Sequence, residues 1–230
     1  MAITLDDVQS RIAGVIDQDQ DTDNIGTEDY SLRLNYINRR ERKWAEVAKW
    51  QALYVEWNTL TSVSTGNASL SLPSDFRTLS GFPKITSDGV NSELFTLVKG
   101  QDEGQMTKTS NKYVKILGNP ADGYTMWINS TNSGNHLVSG ASIMIPYFKN
   151  PASLASPTNV VTCLNPDYLI QGTIADIWES LGDERYLQAK ADANIILQNM
   201  LEVEFTPTKA SYDDRVRTTD TTRYGFRWGA

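Results

Sequence analysis

The chain has 230 residues, of which 40% are hydrophobic and 21% charged, and its 28 acidic and 21 basic side chains leave a net charge of −7. That length can bury roughly 70% of the unfolded surface in one large or two small domains without cross-links. One cysteine, Cys163, excludes an internal disulfide and a zinc ribbon, and one histidine, His136, disfavours a catalytic triad or catalytic zinc site. The expectation is a protein that is not an enzyme and holds no cofactor or metal. No apolar run approaches the ~18 residues of a membrane span. The acidic balance argues against a chain that grips nucleic acid through its phosphates. Met1 to Asp7 lacks the basic start and apolar stretch of a signal peptide, so synthesis and assembly in the cytosol are expected.

Leu5, Val8, Ile12 and Ile16 recur at spacings of three and four behind an N-capping Thr4, which predicts a short helix. Asp17 to Gly26 is polar and acidic. Thr27, followed by Glu28 and Asp29, opens a second helix, and apolar positions from Tyr30 to Trp57 with no proline or glycine predict that it runs to about Asn58. From Leu60 onward Ser, Thr, Gly and Asn separate short β-prone runs. Expected strands are Ser69 to Leu72, Thr78 to Phe82, Glu93 to Val98, Tyr113 to Leu117, Tyr124 to Asn129 and Ala141 to Phe148, with Asn119-Pro120-Ala121-Asp122-Gly123 as a turn. Asn165-Pro166-Asp167 starts another helix, whose stripe of Ile170, Ile174, Ile177 and Trp178 continues past a bend or break at Gly182-Asp183 into Leu187, Ala191, Ile195, Met200 and Val203. Beyond Pro207 the aliphatics run out, so the tail is expected to order only by docking on something.

The fold class expected from this order is α+β: a helical core of long helices from both ends of the chain, an inserted antiparallel β-domain and an extended C-terminal tail. The expected boundaries are 1–60 with 149–206 for the helical core, 61–148 for the β-domain and 207–230 for the tail.

Few residues offer chemistry. Asp17, Asp19, Asp21 and Glu28 have the ligand spacing of a calcium loop, but Thr22 stands where the sharp turn needs glycine and Asn24 where an aliphatic belongs, which favours a solvated acidic linker. Arg39, Arg40, Arg42 and Lys43 project to several sides of a helix, as solvated charges or as ion pairs to a neighbouring chain. The pairs Asp183 with Glu184 and Asp213 with Asp214 lack a base or a ligand set and read as surface. Trp44, Trp50 and Trp57 share a predicted helix without forming a ladder for bases, His136 reads as a loop residue, and Cys163 reads as a small buried residue. A nuclease working through Asp17, Asp19 and Asp21 would lack its base.

Several strings in this order resemble the head-to-tail adaptor (connector) proteins of tailed bacteriophages: Leu72-Pro73-Ser74-Asp75-Phe76-Arg77 opening the β-region, Ile145-Pro146-Tyr147-Phe148 with Pro151 closing it, then Asn165-Pro166-Asp167-Tyr168-Leu169-Ile170 leading into Gly182-Asp183-Glu184-Arg185-Tyr186. The resemblance spans roughly residues 4 to 205. It implies a structural virion protein of the neck, between the capsid's portal vertex and the tail, in a dodecameric ring of identical copies that docks on the portal protein. The ring would extend the DNA channel, with genomic DNA passing through the lumen without specific binding, and present an attachment surface to a tail, nozzle or stopper protein; no membrane is involved. Family members insert a terminal segment into the portal or a neighbouring subunit. That role falls here to Arg223, Tyr224, Phe226, Arg227 and Trp228, in a stretch from Lys209 to Trp228 with five basic and three acidic side chains. The alternative is a neck or tail accessory protein whose β-domain is a receptor- or glycan-binding head, with Tyr124 and Trp127 together on a concave sheet surface.

Overall fold

The structure, a computed structural model, describes residues 2–16, 27–60, 68–86, 92–94, 96–97, 113–128 and 142–205. Among these residues four α-helices are present, α1 (Leu5–Ile16), α2 (Thr27–Val47), α3 (Pro166–Leu181) and α4 (Tyr186–Phe205). Nine strands of the described residues lie between α2 and α3: β1 (Tyr54–Leu60), β2 (Ala68–Ser71), β3 (Phe76–Leu79), β4 (Lys84–Thr86), β5 (Ser92–Leu94), β6 (Thr96–Leu97), β7 (Tyr113–Asn119), β8 (Gly123–Ile128) and β9 (Ser142–Lys149). The fold is α+β, as expected.

The first helix begins where its cap predicts. The Thr4 hydroxyl oxygen accepts from the Asp7 backbone N–H (3.3 Å), and the Asp7 carboxylate accepts from the Thr4 N–H (2.9 Å). Two further free N–H groups of that first turn, on Leu5 and Asp6, donate to the carbonyls of Asn159 and Pro157. Helix α3 is capped by the Asn165 side chain, which accepts from Asp167 N–H (3.0 Å), with Pro166 in the first turn. It stops at Gly182, whose φ of +72° a side chain resists. The predicted break between the last two helices is a true chain reversal, across which α3 and α4 pack side by side.

The predicted helix from Thr27 to Asn58 requires correction. Helix α2 ends at Val47, a single 3₁₀ turn covers Gln51–Leu53, and Tyr54 to Leu60 forms strand β1, so Trp57 belongs to a sheet. Trp50 supplies the reason: it folds back onto Trp44, the rings stack at 5.1 Å, and the indole N–H donates to the Trp44 carbonyl at 2.6 Å. That carbonyl lies in the last turn, where a continuing helix would have supplied its donor.

Strand β1 then pairs antiparallel with β9 over seven residues, Tyr54 opposite Phe148 through Leu60 opposite Ser142. Strands β3 and β4 pair with the other edge of β9, and β5 pairs with β4. A second sheet runs β2-β8-β7-β6, antiparallel except for the β6–β7 pair, which is parallel. Ile143, Ile145 and Tyr147 of β9 point inward with Phe76 of β3 and meet Leu72, just past β2, and Val114, Met126 and Ile128 of the second sheet in one buried cluster. A larger cluster is built by Leu5, Val8 and Ile12 of α1, Ile37 and Trp44 of α2, Leu169, Ile174 and Ile177 of α3, and Ala189, Ala193 and Met200 of α4. The predicted turn between β7 and β8 forms, with the Asn119 side chain accepting from the N–H groups of Ala121 and Asp122.

The joint between helices and sheets, and the charges around it

Two of the strings that carried the resemblance meet in space. Strand β3, from Leu-Pro-Ser-Asp-Phe-Arg, lies against the end of β9, from Ile-Pro-Tyr-Phe. Tyr147 donates its hydroxyl to the Asp75 carboxylate (2.9 Å), the Asn150 N–H donates to the Asp75 carbonyl (2.7 Å), and Phe76 packs between Tyr147 and Tyr124. Burial and the adjacent Asp75 carboxylate push the Tyr147 phenol up to about 12. Next in the same string, Arg77 donates to the carbonyl of Ala48, just past the end of α2 (3.1 Å).

Strand β9 is the hinge pin of this joint. Its Tyr147 points into the sheet cluster while its neighbour Phe148 joins the helical cluster, edge-on to Tyr54. Because neighbouring strand residues face opposite sides, one strand can belong to both cores. Helix α2 is tied to the connection after β9 as well. Asn38 both donates to and accepts from the backbone of Leu154 (2.9 and 2.8 Å), and the buried Glu41 carboxylate accepts from the Thr162 N–H (2.5 Å). Burial raises the Glu41 carboxyl above its ordinary range, opposed by that N–H and by the N–H of Cys163.

The basic run on α2 divides. Arg40, read from sequence as a solvated or intersubunit charge, is instead buried in its own chain, and its guanidinium grips Asp176 of α3 through both carboxylate oxygens (2.8 and 2.5 Å). Its stem lies over Gly172, where an added Cβ would come within 2.9 Å of Arg40 Cδ. Arg39 and Arg42 are exposed, and Lys43 is half-buried. Asp183 pairs with Arg185 at the α3–α4 turn, and that guanidinium lies over the Trp178 ring at 4.5 Å.

The other sequence-level candidates sort as follows. Cys163 is buried and donates its thiol to the Asn165 carbonyl, and burial pushes its ionisation up to about 12, which makes it a poor nucleophile. Tyr124 packs on Phe76 inside the sandwich, whereas Trp127 stands 44% exposed on the opposite face of β8, so the two do not share a stacking surface. Asp17, Asp19, Asp21, His136 and the docking residues Arg223, Tyr224, Phe226, Arg227 and Trp228 lie outside the described residues; Glu28 begins α2, but its side chain is outside them too. Among the described residues no group of three His, Cys, Asp or Glu side chains could hold a metal ion. Likewise no described helix is long and apolar enough to cross a membrane.

Sequence reasoning missed Asp75, Tyr147, Glu41 and Asp176 as organising residues. Only the two joint strings themselves hinted at the first pair, and no local signal marks the second.

No curated protein matches the chain. The family model described as SU10 adaptor protein matches residues 3–222, which takes in the helices, both sheets and the joint that links them. The chain therefore belongs to the SU10 adaptor protein family, a family of phage adaptor proteins.

Proposed function

We propose that this protein is a structural component of the virion neck, a head-to-tail adaptor whose copies form a dodecameric ring under the portal protein. The observation that carries the reading is the family match over residues 3–222. The joint agrees with it, because an adaptor must hold two differently engaged parts at a defined angle, and strand β9 serves both hydrophobic clusters. In this reading the ring extends the DNA channel and offers the tail, nozzle or stopper protein its attachment surface. A net charge of −7 lets genomic DNA slide through the lumen, since like charge repels phosphate. The C-terminal stretch with Arg223, Tyr224, Phe226, Arg227 and Trp228 docks on the portal, its aromatics as anchors and its arginines as ion-pair donors. The helices within 1–60 and 149–206 form the body, and 61–148, joined by strand β1, the β-insertion. The separation of Tyr124 from Trp127 removes the surface on which a glycan-binding head was expected to rest.

The test is the mass of the purified protein by analytical ultracentrifugation, alone and mixed with the portal of the same phage. Portal plus about a dozen copies is the expected species. No association at any ratio would overturn the adaptor reading. Deleting Tyr224 to Ala230 should leave the fold intact and abolish portal binding, and unchanged binding would move the docking site elsewhere.

A further inference from the structure

Helices α2 and α4 form the two walls of an open cleft of about 400 Å³ floored by α3. Four cations line it, Arg39, Arg40 and Lys43 from α2 and Lys190 from α4, against two carboxylates of α3, Asp176 and Glu179. Both carboxylates are engaged: Arg40 holds Asp176 through two hydrogen bonds, and Lys190 lies 3.6 Å from Glu179. Arg39 and Lys43 are surplus, and among the described residues neither has an ion-pair partner within 4 Å. The Lys43 ammonium is partly desolvated, and burial followed by the Arg40 charge lowers its pKa, opposed by the Asp176 carboxylate and reinforced by Arg39 and Lys190. A cleft with two unneutralised cations on a chain of net charge −7 is built to receive an anion.

What surrounds the cleft narrows the kind of anion. On the outer side of α4, Leu187, Ile195 and Phe205 are each more than half exposed. At 3.6 residues per turn they lie within about 80° of one another, with the exposed Asn194, Gln198 and Glu202 between them on the same face, and Lys190 stands about 60° to one side of Leu187. Spaced apolar side chains set among polar ones beside a cationic cleft suit a folded protein surface with a projecting carboxylate, and a nucleic acid backbone offers no match for the apolar groups. The acidic surface at hand is that of another copy, on which Asp29, Glu46, Asp122 and Glu184 are exposed. Contact between a cleft on one copy and a different surface on the next is heterologous, the type of contact that closes rings.

We propose that the cleft between α2 and α4 is an intersubunit socket that takes a carboxylate side chain from the neighbouring copy, with Arg39 and Lys43 as its ligands and Leu187 packed beside it. The socket rests on the ring reading above.

Carbodiimide cross-linking of portal-bound rings made from equal parts of ¹⁴N- and ¹⁵N-labelled full-length chains tests it directly, because the reagent forms an amide only where an amine and a carboxylate touch. Mixed-isotope peptides joining Lys43 to an acid are expected, with the Lys190–Glu179 link within one copy as the internal control. Arg39→Glu with Lys43→Glu should weaken ring formation at least tenfold with unchanged circular dichroism, and Arg39→Lys with Lys43→Arg should preserve it. Assembled rings in which Lys43 forms no link between copies, or a charge-reversed variant that assembles like the wild type, would overturn the socket while leaving the adaptor reading intact. A charge-reversed variant that assembles normally but loses salt-sensitive binding of a short DNA duplex would show the cleft's anion to be a phosphate and overturn the carboxylate. A wild-type chain that binds neither portal nor itself would remove the ring and the socket together.

Discussion

The buried Arg40–Asp176 pair permits the sharpest stability prediction. Both side chains are less than a tenth exposed, the guanidinium makes two short hydrogen bonds to the carboxylate, and the arginine stem lies in the space that Gly172 leaves by having no Cβ. Asp176→Asn removes the compensating charge but leaves the guanidinium ionised in its slot. Breaking a buried pair from one side costs about 3–5 kcal/mol, whereas replacing both partners with apolar groups of similar volume is about neutral or stabilising. The expected results are a loss of about 3–5 kcal/mol for Asp176→Asn and near-native stability for Arg40→Met combined with Asp176→Leu. Urea unfolding followed by tryptophan fluorescence reads both: at an m-value of about 2–3 kcal/mol/M the single variant's midpoint falls by about 1–2.5 M, and the double variant's stays within about 0.5 M of wild type. A single variant that loses less than about 1 kcal/mol would refute the reasoning, because it would mean that water reaches the pair. A double variant that falls as far as the single would show that the pair is needed for more than mutual neutralisation.

Three other outcomes are expected. Gly118→Ala should disrupt the β7–β8 hairpin, since an added Cβ would lie 2.1 Å from the Gly123 carbonyl oxygen at a φ of +114°; Gly123→Ala, with open space around it, should cost only about 1–2 kcal/mol, a contrast measurable by thermal unfolding. Asn165→Ala should cost about 1 kcal/mol through loss of the cap on α3, read by the same method. The Cys163 thiol should resist modification by a disulfide reagent at pH 8 in the native protein and react at once in denaturant. Because burial raises its folded pKa to about 12 from an ordinary value near 9, its contribution to stability is full below pH 9 and is lost as pH climbs toward 12. Between pH 9 and 10, Cys163→Ala should therefore flatten the fall in stability, and an unchanged slope would place the titration elsewhere.

The parts of the fold legible in the sequence are those with local causes. Thr4 before Asp7, Asn165 before Pro166 and Asp167, Gly182 after Leu181, and Asn119 through Gly123 each satisfy or strain backbone groups within a few residues, and each produced the predicted feature in place. Most expected strand runs match to within a few residues, because β-branched and aromatic residues cluster between turn formers. The pattern does not predict Tyr54–Leu60 and Lys84–Thr86 as strands, however, and the strand expected from Glu93 to Val98 is two, in different sheets. Of the expected site, only the buried character of Cys163 followed from composition. The docking tail and the acidic loop lie outside the described residues, and the basic run was misread at Arg40 because its carboxylate is 136 positions away.

By itself, then, the sequence determined the fold class, the caps and turns that begin and end most elements, and the exclusion of an internal disulfide, since these rest on neighbour-to-neighbour sterics, capping and composition. Tertiary structure decided where α2 stops, which strand serves both cores and which charges are buried. Tyr54 to Leu60 is a strand because β9 supplies its backbone partners from about 90 residues away, and Arg40 is buried because Asp176 waits on another helix. Such outcomes depend on contacts between distant segments, and a local pattern reports only the preference that those contacts go on to honour or override.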